Sequence, residues 1–301
     1  MFFVDGNNLI SYDFFDNESP MNQKKKMNSR IHEDHWLLMR PIAHRGLHNN
    51  EYPENSLAAF WNAVKNDRPI ELDVHISKDG QLFVFHDDDA QRMTGTCGDV
   101  NKMTMKELSG LRLRLPDGEL AGDGEVAGGK MLEDDEHFRR GIPSLDDVLK
   151  LVAGKVPLLI ETKPAMNPGR LEQKLHERLV EYRKDHPGCE FAIQSFDVRS
   201  VRMIGKMEPE FIRGLLSKNM RDYPLSAWKR WLLTECRLSF YCKPDFIAYK
   251  TADLPVGRVT KKRSSGMPVL GWTVRSHTAQ LQAEEYCDNI IFEKFEPVTE
   301  V

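Results

Sequence analysis

The sequence lacks three features that would place it in other classes of protein. No stretch approaches the roughly 18 consecutive apolar residues that cross a bilayer, and Asp5 interrupts the amino-terminal segment too early for the apolar core of a secretory signal. An excess of positive charge is also absent, because 42 Lys and Arg stand against 46 Asp and Glu. Nucleic-acid binders need such an excess. We therefore expect no transmembrane segment and no nucleic-acid partner.

Cysteine is scarce as well. Only 5 cysteines occur in 301 residues, and they are widely separated, without the CxxC pairs of metal and redox sites. An odd, scattered set of thiols is typical of reduced cysteines in the cytosol. We therefore predict a cytoplasmic protein without disulfide bonds.

Residues 1–40 differ in composition from the rest of the chain, with Asn-rich and Lys-rich patches and no strand pattern. This predicts a partly disordered amino-terminal extension. Within it, residues 28–39 are compatible with one short helix, capped by Asn28 or Ser29.

From residue 41 to residue 301, short apolar runs alternate with amphipathic stretches of helical period. This alternation indicates βαβ units and a parallel sheet, and eight strands in about 250 residues favour a closed (β/α)₈ TIM barrel. The predicted strands lie at 42–43, 70–76, 156–160, 191–193, 211–216, 246–248, 269–274 and 290–292. Since the chain ends soon after the eighth, residues 28–39 are a candidate to cover the position of the missing eighth helix.

Two segments interrupt the alternation. The linker after residue 76 is too short for a parallel crossover, so Asp79 and Gly80 are predicted to turn a hairpin whose second strand runs back antiparallel. A variable insertion is predicted at about 112–141, because residues 117–136 carry eight acidic residues, one Lys and five Gly and have no apolar period. Order returns where Ser144 and Asp147 form a predicted capping box.

The ends of the predicted strands are unusually polar. Reacting groups of such barrels lie at the carboxyl ends of the strands, and a barrel interior otherwise excludes unpaired charge. Alternation places Glu71, Asp73 and His75 on one inward face of the second strand. The other polar residues at strand ends are His44, Arg45, His86, Glu161 and Lys163.

These residue types together point to one kind of chemistry. Glu71, Asp73 and Glu161 would repel one another unless a hard divalent cation, Mg²⁺ or Ca²⁺, lay between them. The two histidines at positions 44 and 86 suggest an acid–base pair, and Arg45 and Lys163 suit a phosphoryl oxygen. The sequence therefore predicts metal-assisted hydrolysis of an anionic phosphate ester.

A set of short motifs resembles the glycerophosphodiester phosphodiesterase family over roughly residues 41–297. The motifs, in family order and spacing, are HRG at 44–46, PEN at 53–55, ELDV at 71–74, KDG at 78–80, FHD at 85–87 and ETK at 161–163. Weaker similarities follow at 194–196 and 271–273. The combination is specific, whereas each motif alone would be weak.

The resemblance implies a phosphatidylinositol-phospholipase-like barrel that hydrolyses glycerophosphodiesters to an alcohol and glycerol 3-phosphate. It implies that His44 and His86 are the catalytic pair and that Trp272 lines the substrate cleft. It also implies a carboxylate metal site and phosphate-contacting cations, made of Glu71, Asp73, Glu161, Arg45 and Lys163. The expected partner is a small-molecule glycerophosphodiester. We interpret His44 as the base and His86 as the acid, although the sequence does not fix their order or the attacking oxygen.

The chain departs from the family pattern at three places. Ser56 replaces a common Thr, the last strand runs into Glu293 where many members have a Thr-Asp pair, and the insertion at 112–141 makes the substrate preference non-transferable. The role of Glu293 stays open. The remaining histidines, including His48, are expected to face solvent.

Two rival functions remain open at this point. The same chemistry could act on lysophospholipids, as in a lysophospholipase D, or the barrel could be a catalytically silent binding module for phosphate metabolites. Residues 221–263 hold ten Lys and Arg, four Asp and Glu, and several aromatic residues. An amphipathic helix packed on the barrel is the favoured interpretation of this region, and peripheral contact with a lipid surface is the alternative.

Overall fold

Nine β-strands form the sheet of the described residues, which are 30–115, 141–163 and 168–298 of a computed structural model. Eight of the strands run parallel, and the first pairs with both the last and the second, which closes the barrel. The predicted (β/α)₈ fold is therefore confirmed. The strands are β1 (Ile42–Ala43), β2 (Ile70–Ile76), β3 (Leu82–Val84), β4 (Leu158–Thr162), β5 (Phe191–Ser195), β6 (Ile212–Ser217), β7 (Phe246–Lys250), β8 (Val269–Val274) and β9 (Asn289–Phe292).

Helices lie between most of the strands. The predicted capping box opens α5, where the Ser144 hydroxyl accepts from the amide of Asp147 at 3.1 Å and the Ser144 amide donates to the Asp147 carboxylate at 3.2 Å. The helices are α1 (Trp36–Met39), α2 (Leu57–Lys65), α3 (Gln91–Thr94), α4 (Met105–Ser109), α5 (Leu145–Val152), α6 (Arg170–Asp185), α7 (Val198–Met207), α8 (Ala227–Thr234), α9 (Ser239–Cys242), α10 (Gly257–Ser264) and α11 (His277–Glu284).

The predicted hairpin is present as β2 and β3, which pair antiparallel from Val74 opposite Val84 to Ile76 opposite Leu82. The turn closes where the Ser77 amide donates to the carbonyl of Gln81 at 2.8 Å. Gly80 has a φ of +82°, a conformation that glycine adopts without steric cost. The hairpin carries the chain back to His86 at the mouth of the barrel.

Alternation along β2 separates the core from the site. Ile70, Leu72 and Val74 are fully buried and pack against helices α2, α5 and α6. Each buried aliphatic side chain of this kind contributes about 1.5–3 kcal/mol to stability. The intervening residues, Glu71 and Asp73, must then point into the barrel.

The lower interior of the barrel is apolar, and the segment before β1 closes it. Ile31, Trp36 and Leu37 are buried in one cluster with inward residues of the strands, namely Ile42, Leu159, Ala192, Leu216, Phe246, Ala248, Leu270 and Ile291. The segment is fastened to the last strand by the Asn289 side-chain amide, which donates to the carbonyl of Leu37 at 2.9 Å.

The helix predicted over residues 28–39 is wrong in extent and position. Its described part is helical only over α1, where the cap is His35, whose Nδ1 accepts from the Leu37 amide. The segment fills the amino-terminal end of the barrel interior, where Trp36 and Leu37 are buried against apolar strand residues. Between this segment and α11, a surface cavity of about 560 Å³, separate from the strand-end mouth of the barrel, is lined by Met39, Leu281 and Val298 among others.

Two predicted features lie outside the described residues. They are residues 1–29 of the amino-terminal extension and the acidic part of the insertion, which falls within residues 116–140. All five cysteines are free, as expected for reduced thiols. In the described part of the chain, no helix combines the length and apolarity needed to cross a membrane.

Candidate active site

Three buried carboxylates meet at the carboxyl-terminal mouth of the barrel. Asp73 on β2 lies directly beside Glu161 on β4 in the strand register, and Glu71 lies two residues before Asp73 on the same inward face. Their side chains are nearly inaccessible, with residue exposures of 2% for Glu71, 1% for Asp73 and 6% for Glu161. One carboxylate oxygen from each lies within 4.8 Å of the others. The structure therefore brings the predicted metal-site residues together.

The two cations beside this cluster, Lys163 and Arg45, do not balance the three carboxylates. Burial, together with repulsion from neighbouring carboxylates, raises the pKa of Glu71 well above its usual value and also raises the pKa of Glu161. Lys163 lies 2.7 Å from both Asp73 and Glu161. Although burial opposes ionisation of Asp73, Lys163 and Arg45 lower its pKa.

Arg45 occupies a tight turn beside the cluster. Its φ is +55°, and the following Gly46 has a φ of +82° and no room for a side chain, since a Cβ there would lie 2.9 Å from the ring of Phe60. The Arg45 amide donates to Glu71 at 3.1 Å, and its guanidinium donates to Glu54 at 2.6 Å and lies 3.4 Å from Asp73. The HRG turn thus directs both backbone and side-chain donors at the carboxylates.

Asn55, the last residue of the PEN motif, fixes the position of Asp73. Its side-chain amide donates to the Asp73 carboxylate at 2.8 Å, and Asn55 is itself only 2% exposed. A neutral donor holds the carboxylate in place without competing with a cation for charge.

One predicted catalytic histidine, His86, is oriented by its neighbour in sequence. His86 Nδ1 lies 2.6 Å from the carboxylate of Asp87, which also accepts from Arg92 Nε at 2.5 Å. Arg92 in turn donates to Glu54 at 2.6 Å. The hydrogen bonds and ion pairs of Asp87 with His86 and Arg92 hold the pKa of its carboxyl below the usual range despite burial.

The other predicted catalytic histidine, His44, is oriented by a residue that directly follows the last strand. His44 Nδ1 lies 2.5 Å from Oε2 of Glu293, and Arg275 Nε donates to Oε1 of the same carboxylate at 2.6 Å. Burial lowers the pKa of His44 to about 4, although Glu293 acts in the opposite direction. The pair is therefore a neutral imidazole whose Nδ1–H donates to a carboxylate, which leaves Nε2 without the proton.

His48 corrects one expectation. His48 was expected to face solvent, yet it is 9% exposed and its Nε2 lies 3.5 Å from Glu293. His44, His48 and Glu293 form a second cluster of three ligand-type residues. Sequence reasoning missed it because His48 and Glu293 lie in loops beyond strand ends, where periodicity says nothing of direction.

His75 shares the inward parity of Glu71 and Asp73 but supports the mouth from outside the carboxylate cluster. It is stacked on Phe83 at 5.3 Å, and its Nδ1 lies 3.1 Å from the Asn101 side chain. Its Nε2 lies 3.4 Å from the carbonyl of His86. His75 therefore steadies the backbone that carries the second catalytic candidate.

Trp272 lies near the carboxyl end of β8. Its ring meets that of Phe196 edge-on at 5.7 Å, and its indole nitrogen is buried without a hydrogen-bond partner. The side-chain oxygen of Gln194, which pairs with Glu161 in register, is also buried and unpartnered. An unpaired buried donor and acceptor at one mouth suit a polar ligand, which would satisfy them.

The two histidines interact electrostatically with the carboxylate cluster. Electrostatic interaction with His86 helps to lower the pKa of Asp73, and Asp73 in turn acts on the pKa of His44. All-oxygen ligation by buried carboxylates that repel one another fits a hard divalent cation. Carboxylates that could hold such a cation, together with two oriented imidazoles, form an arrangement suited to the hydrolysis of an ester that carries negative charge.

Comparisons with known proteins agree with this class of enzyme. The family model described as "Glycerophosphoryl diester phosphodiesterase family" matches residues 44–295. A glycerophosphodiester phosphodiesterase of Caldanaerobacter subterraneus is 35% identical over 237 residues, which are 77% of this chain and 84% of that protein. Lysophospholipase D GDPD1 of Rattus norvegicus is 31% identical over 160 residues, which cover 50% of this chain and 44% of that one.

A solved structure extends the comparison to the fold. The phosphodiesterase of Oleispira antarctica in complex with sn-glycerol-3-phosphate superposes with a TM-score of 0.64 at 23% identity, covering 85% of this chain and 93% of that one. The chain belongs to the glycerophosphoryl diester phosphodiesterase family. It is a phosphoric diester hydrolase.

Proposed function

We propose that the protein hydrolyses glycerophosphodiesters to an alcohol and glycerol 3-phosphate with the help of one divalent cation, Mg²⁺ or Ca²⁺. The observation that carries the proposal is the convergence of Glu71, Asp73 and Glu161 within 4.8 Å at the mouth that also holds two histidine–carboxylate pairs. When bound, the cation supplies neutralisation of the charge that develops on the phosphoryl oxygens. The names of the relatives support the substrate class.

The protein's own residues supply the proton transfers. His44 is neutral and presents an unprotonated Nε2, so it takes the proton of the attacking oxygen. His86, held by Asp87, gives a proton to the oxygen of the departing alcohol, because an alkoxide is a poor leaving group. Arg45 and Lys163 hold the phosphate against the carboxylate cluster, and Trp272 borders the cleft for the glycerol portion.

The direct test is an assay of the purified protein with several soluble glycerophosphodiesters, for example those with choline, ethanolamine and inositol head groups. Release of glycerol 3-phosphate that is abolished by EDTA and restored by Mg²⁺ or Ca²⁺ is the expected result. Hydrolysis that survives complete removal of divalent ions would contradict the role of the carboxylate cluster. Absence of hydrolysis with every diester and ion would contradict the substrate class.

A second candidate substrate is a lysophospholipid. The observation that favours it is the exposure of Tyr223, Trp228 and Trp231 in the segment after β6, since lipid substrates are presented at an interface. A relative is also named lysophospholipase D. Comparing turnover of glycerophosphocholine with that of micellar lysophosphatidylcholine separates the two. A preference for the micellar diester above its critical micelle concentration would favour the lysophospholipid.

A further inference from the structure

An exposed aromatic surface stands on the loop and helix that follow β6. Tyr223 is 43% exposed, Trp228 is 61% exposed and Trp231 is 49% exposed. Trp228 and Trp231 are three residues apart on α8 and therefore lie on neighbouring positions of one face. We call these three residues, together with Arg221, Lys229 and Arg237, the rim surface.

Helix α8 contacts the barrel through its last turn and leaves its two tryptophans exposed. Its Leu232 and Leu233 are half-buried, in line with the favoured interpretation of an amphipathic helix on the barrel, whereas Trp228 and Trp231 on the same helix are exposed. The next helix, α9, lies beside α7, where Arg202 of α7 lies 4.3 Å from the ring centre of Tyr241. The tryptophans of α8 therefore contribute nothing to the core, although aromatic residues are the side chains with the most apolar surface to bury.

The helix is fixed at the mouth of the barrel. The hydroxyl of Ser217, the last residue of β6, donates to the carbonyl of Leu233 at 2.8 Å. The hydroxyl of Tyr249, near the end of β7, donates to the carbonyl of Thr234 at 3.0 Å. Both bonds hold the last turn of α8 to carboxyl ends of strands, which is the end where the carboxylate cluster lies.

Aromatic and cationic side chains connect the cleft to the rim surface. Trp272 contacts Phe196, and Lys218 lies 5.7 Å from the Phe196 ring and 4.9 Å from the Tyr223 ring. A ligand leaving the cleft along this row would therefore reach the rim surface.

The rim surface is positively charged in a chain that carries a net charge of −4. Residues 218–237, which span the rim surface, hold five Lys and Arg against two Asp and Glu. Arg237 lies 3.6 Å from the ring centre of Trp231, and Lys229 lies 5.8 Å from that of Trp228. Tryptophan and tyrosine enter the headgroup layer of a membrane, and the cations beside them attract anionic headgroups.

We propose that the rim surface docks the protein on an anionic lipid surface, with the cleft directed at the lipid. The burial of two tryptophans in the headgroup layer and the attraction of the surrounding cations together supply the affinity. This docking does not depend on which diester is the substrate, because it concerns binding and not turnover.

The test is co-sedimentation of the full-length protein with vesicles of phosphatidylcholine and with vesicles of equimolar phosphatidylcholine and phosphatidylglycerol. We expect binding to the anionic vesicles that weakens as salt is raised. Trp228→Ala and Trp231→Ala should each weaken that binding by roughly tenfold, from the apolar surface lost. Lys229→Glu should weaken binding to anionic vesicles only. Turnover of a soluble diester should be unchanged in all three variants, which also confirms their folding.

Phe240→Ala is the matched control, because Phe240 is 75% exposed but lies on α9, which leads to the amino end of β7. Its vesicle binding should equal that of the unmodified protein. Equal binding by the Trp228→Ala variant, or an equal loss in the Phe240→Ala variant, would overturn the proposal. So would a concentration-dependent dimer, detected by light scattering and abolished by Trp231→Ala, together with no vesicle binding. That result would assign the surface to a second copy of the chain.

Discussion

His44 Nδ1 lies 2.5 Å from Oε2 of Glu293, although the two residues are 249 positions apart in the chain. The contact joins the first strand of the barrel to the last, which are neighbours only because the sheet closes. A carboxylate that accepts from Nδ1 fixes the tautomer of an imidazole and makes its Nε2 a better base. Glu293 is therefore a positioning residue for His44 if His44 acts as the base.

Glu293→Gln should lower kcat by roughly tenfold to 10³-fold while KM changes little, because an amide can present its nitrogen to Nδ1 and favour the wrong tautomer. Glu293→Asp keeps the charge and should retain more activity than Glu293→Gln. Steady-state kinetics with a soluble diester measures both. Glu296→Gln is the control, since Glu296 is exposed and pairs with Arg68 on the surface. Equal kcat in the Glu293→Gln variant and the unmodified protein would contradict the positioning role.

The two histidines themselves should be far more sensitive. His44→Ala and His86→Ala should each lower turnover by roughly 10²–10⁴-fold, the usual contribution of a general acid or base. Circular dichroism should show that both variants remain folded, since neither side chain belongs to an apolar cluster of the core. His32→Ala, at an exposed histidine before the barrel, is the control. Retention of full activity by either active-site variant would exclude that histidine from the reaction.

The carboxylate cluster could be predicted from the sequence because regular strands carry it. Period-two alternation on β2 places Glu71 and Asp73 inward, and ETK repeats the pattern on β4, so parity alone brings three carboxylates together. The predicted strand bounds agree with the structure to within two residues at each end for the same reason, since turn residues flank the apolar runs. At β4 the predicted range of 156–160 shifts to 158–162.

What lies beyond the strand ends could not be predicted in this way. Glu293, Arg275 and Asp87 orient the histidines from loops, where no period fixes the direction of a side chain. The segment before β1 differs from its prediction because a short apolar stretch can either fill the amino-terminal end of the barrel interior or form an outer helix. Only the volume inside the closed sheet decides between these two positions. Similarly, the exposure of Trp228 and Trp231 on α8 is decided by the surroundings of the helix and not by its own sequence.

The pH dependence of stability should report the buried state of His44. Its pKa in the folded protein is lowered to about 4 from an unfolded value of 6.5. Between these values the unfolded chain binds more protons than the folded one, so stability falls as the pH is lowered through this window. The His44 contribution amounts to about 3 kcal/mol across the window. Urea unfolding of metal-free protein at several pH values measures it.

His44→Asn isolates this effect, because the asparagine amide can still donate to Glu293 but does not titrate. As the pH falls from 6.5 towards 4, the unfolding free energy of the unmodified protein should decrease more than that of this variant. Other groups titrate in both proteins and cancel to first order. A difference that stays constant over the window would show that His44 is not held neutral by burial.

The raised pKa values of Glu71 and Glu161 should make metal binding stronger as the pH rises. Both carboxyls bind protons more readily in the metal-free folded protein than in the unfolded chain, so a cation must compete with protons for them. The increase in Tm on adding Mg²⁺ or Ca²⁺ should therefore be small near pH 5 and grow as the pH rises towards 8. Glu71→Gln should reduce the increase at high pH, because it removes one ligand and one negative charge. Glu51→Gln, at an exposed position outside the carboxylate cluster, should leave it unchanged. An increase in Tm that is independent of pH, or equal in the Glu71→Gln and Glu51→Gln proteins, would place the cation elsewhere on the molecule.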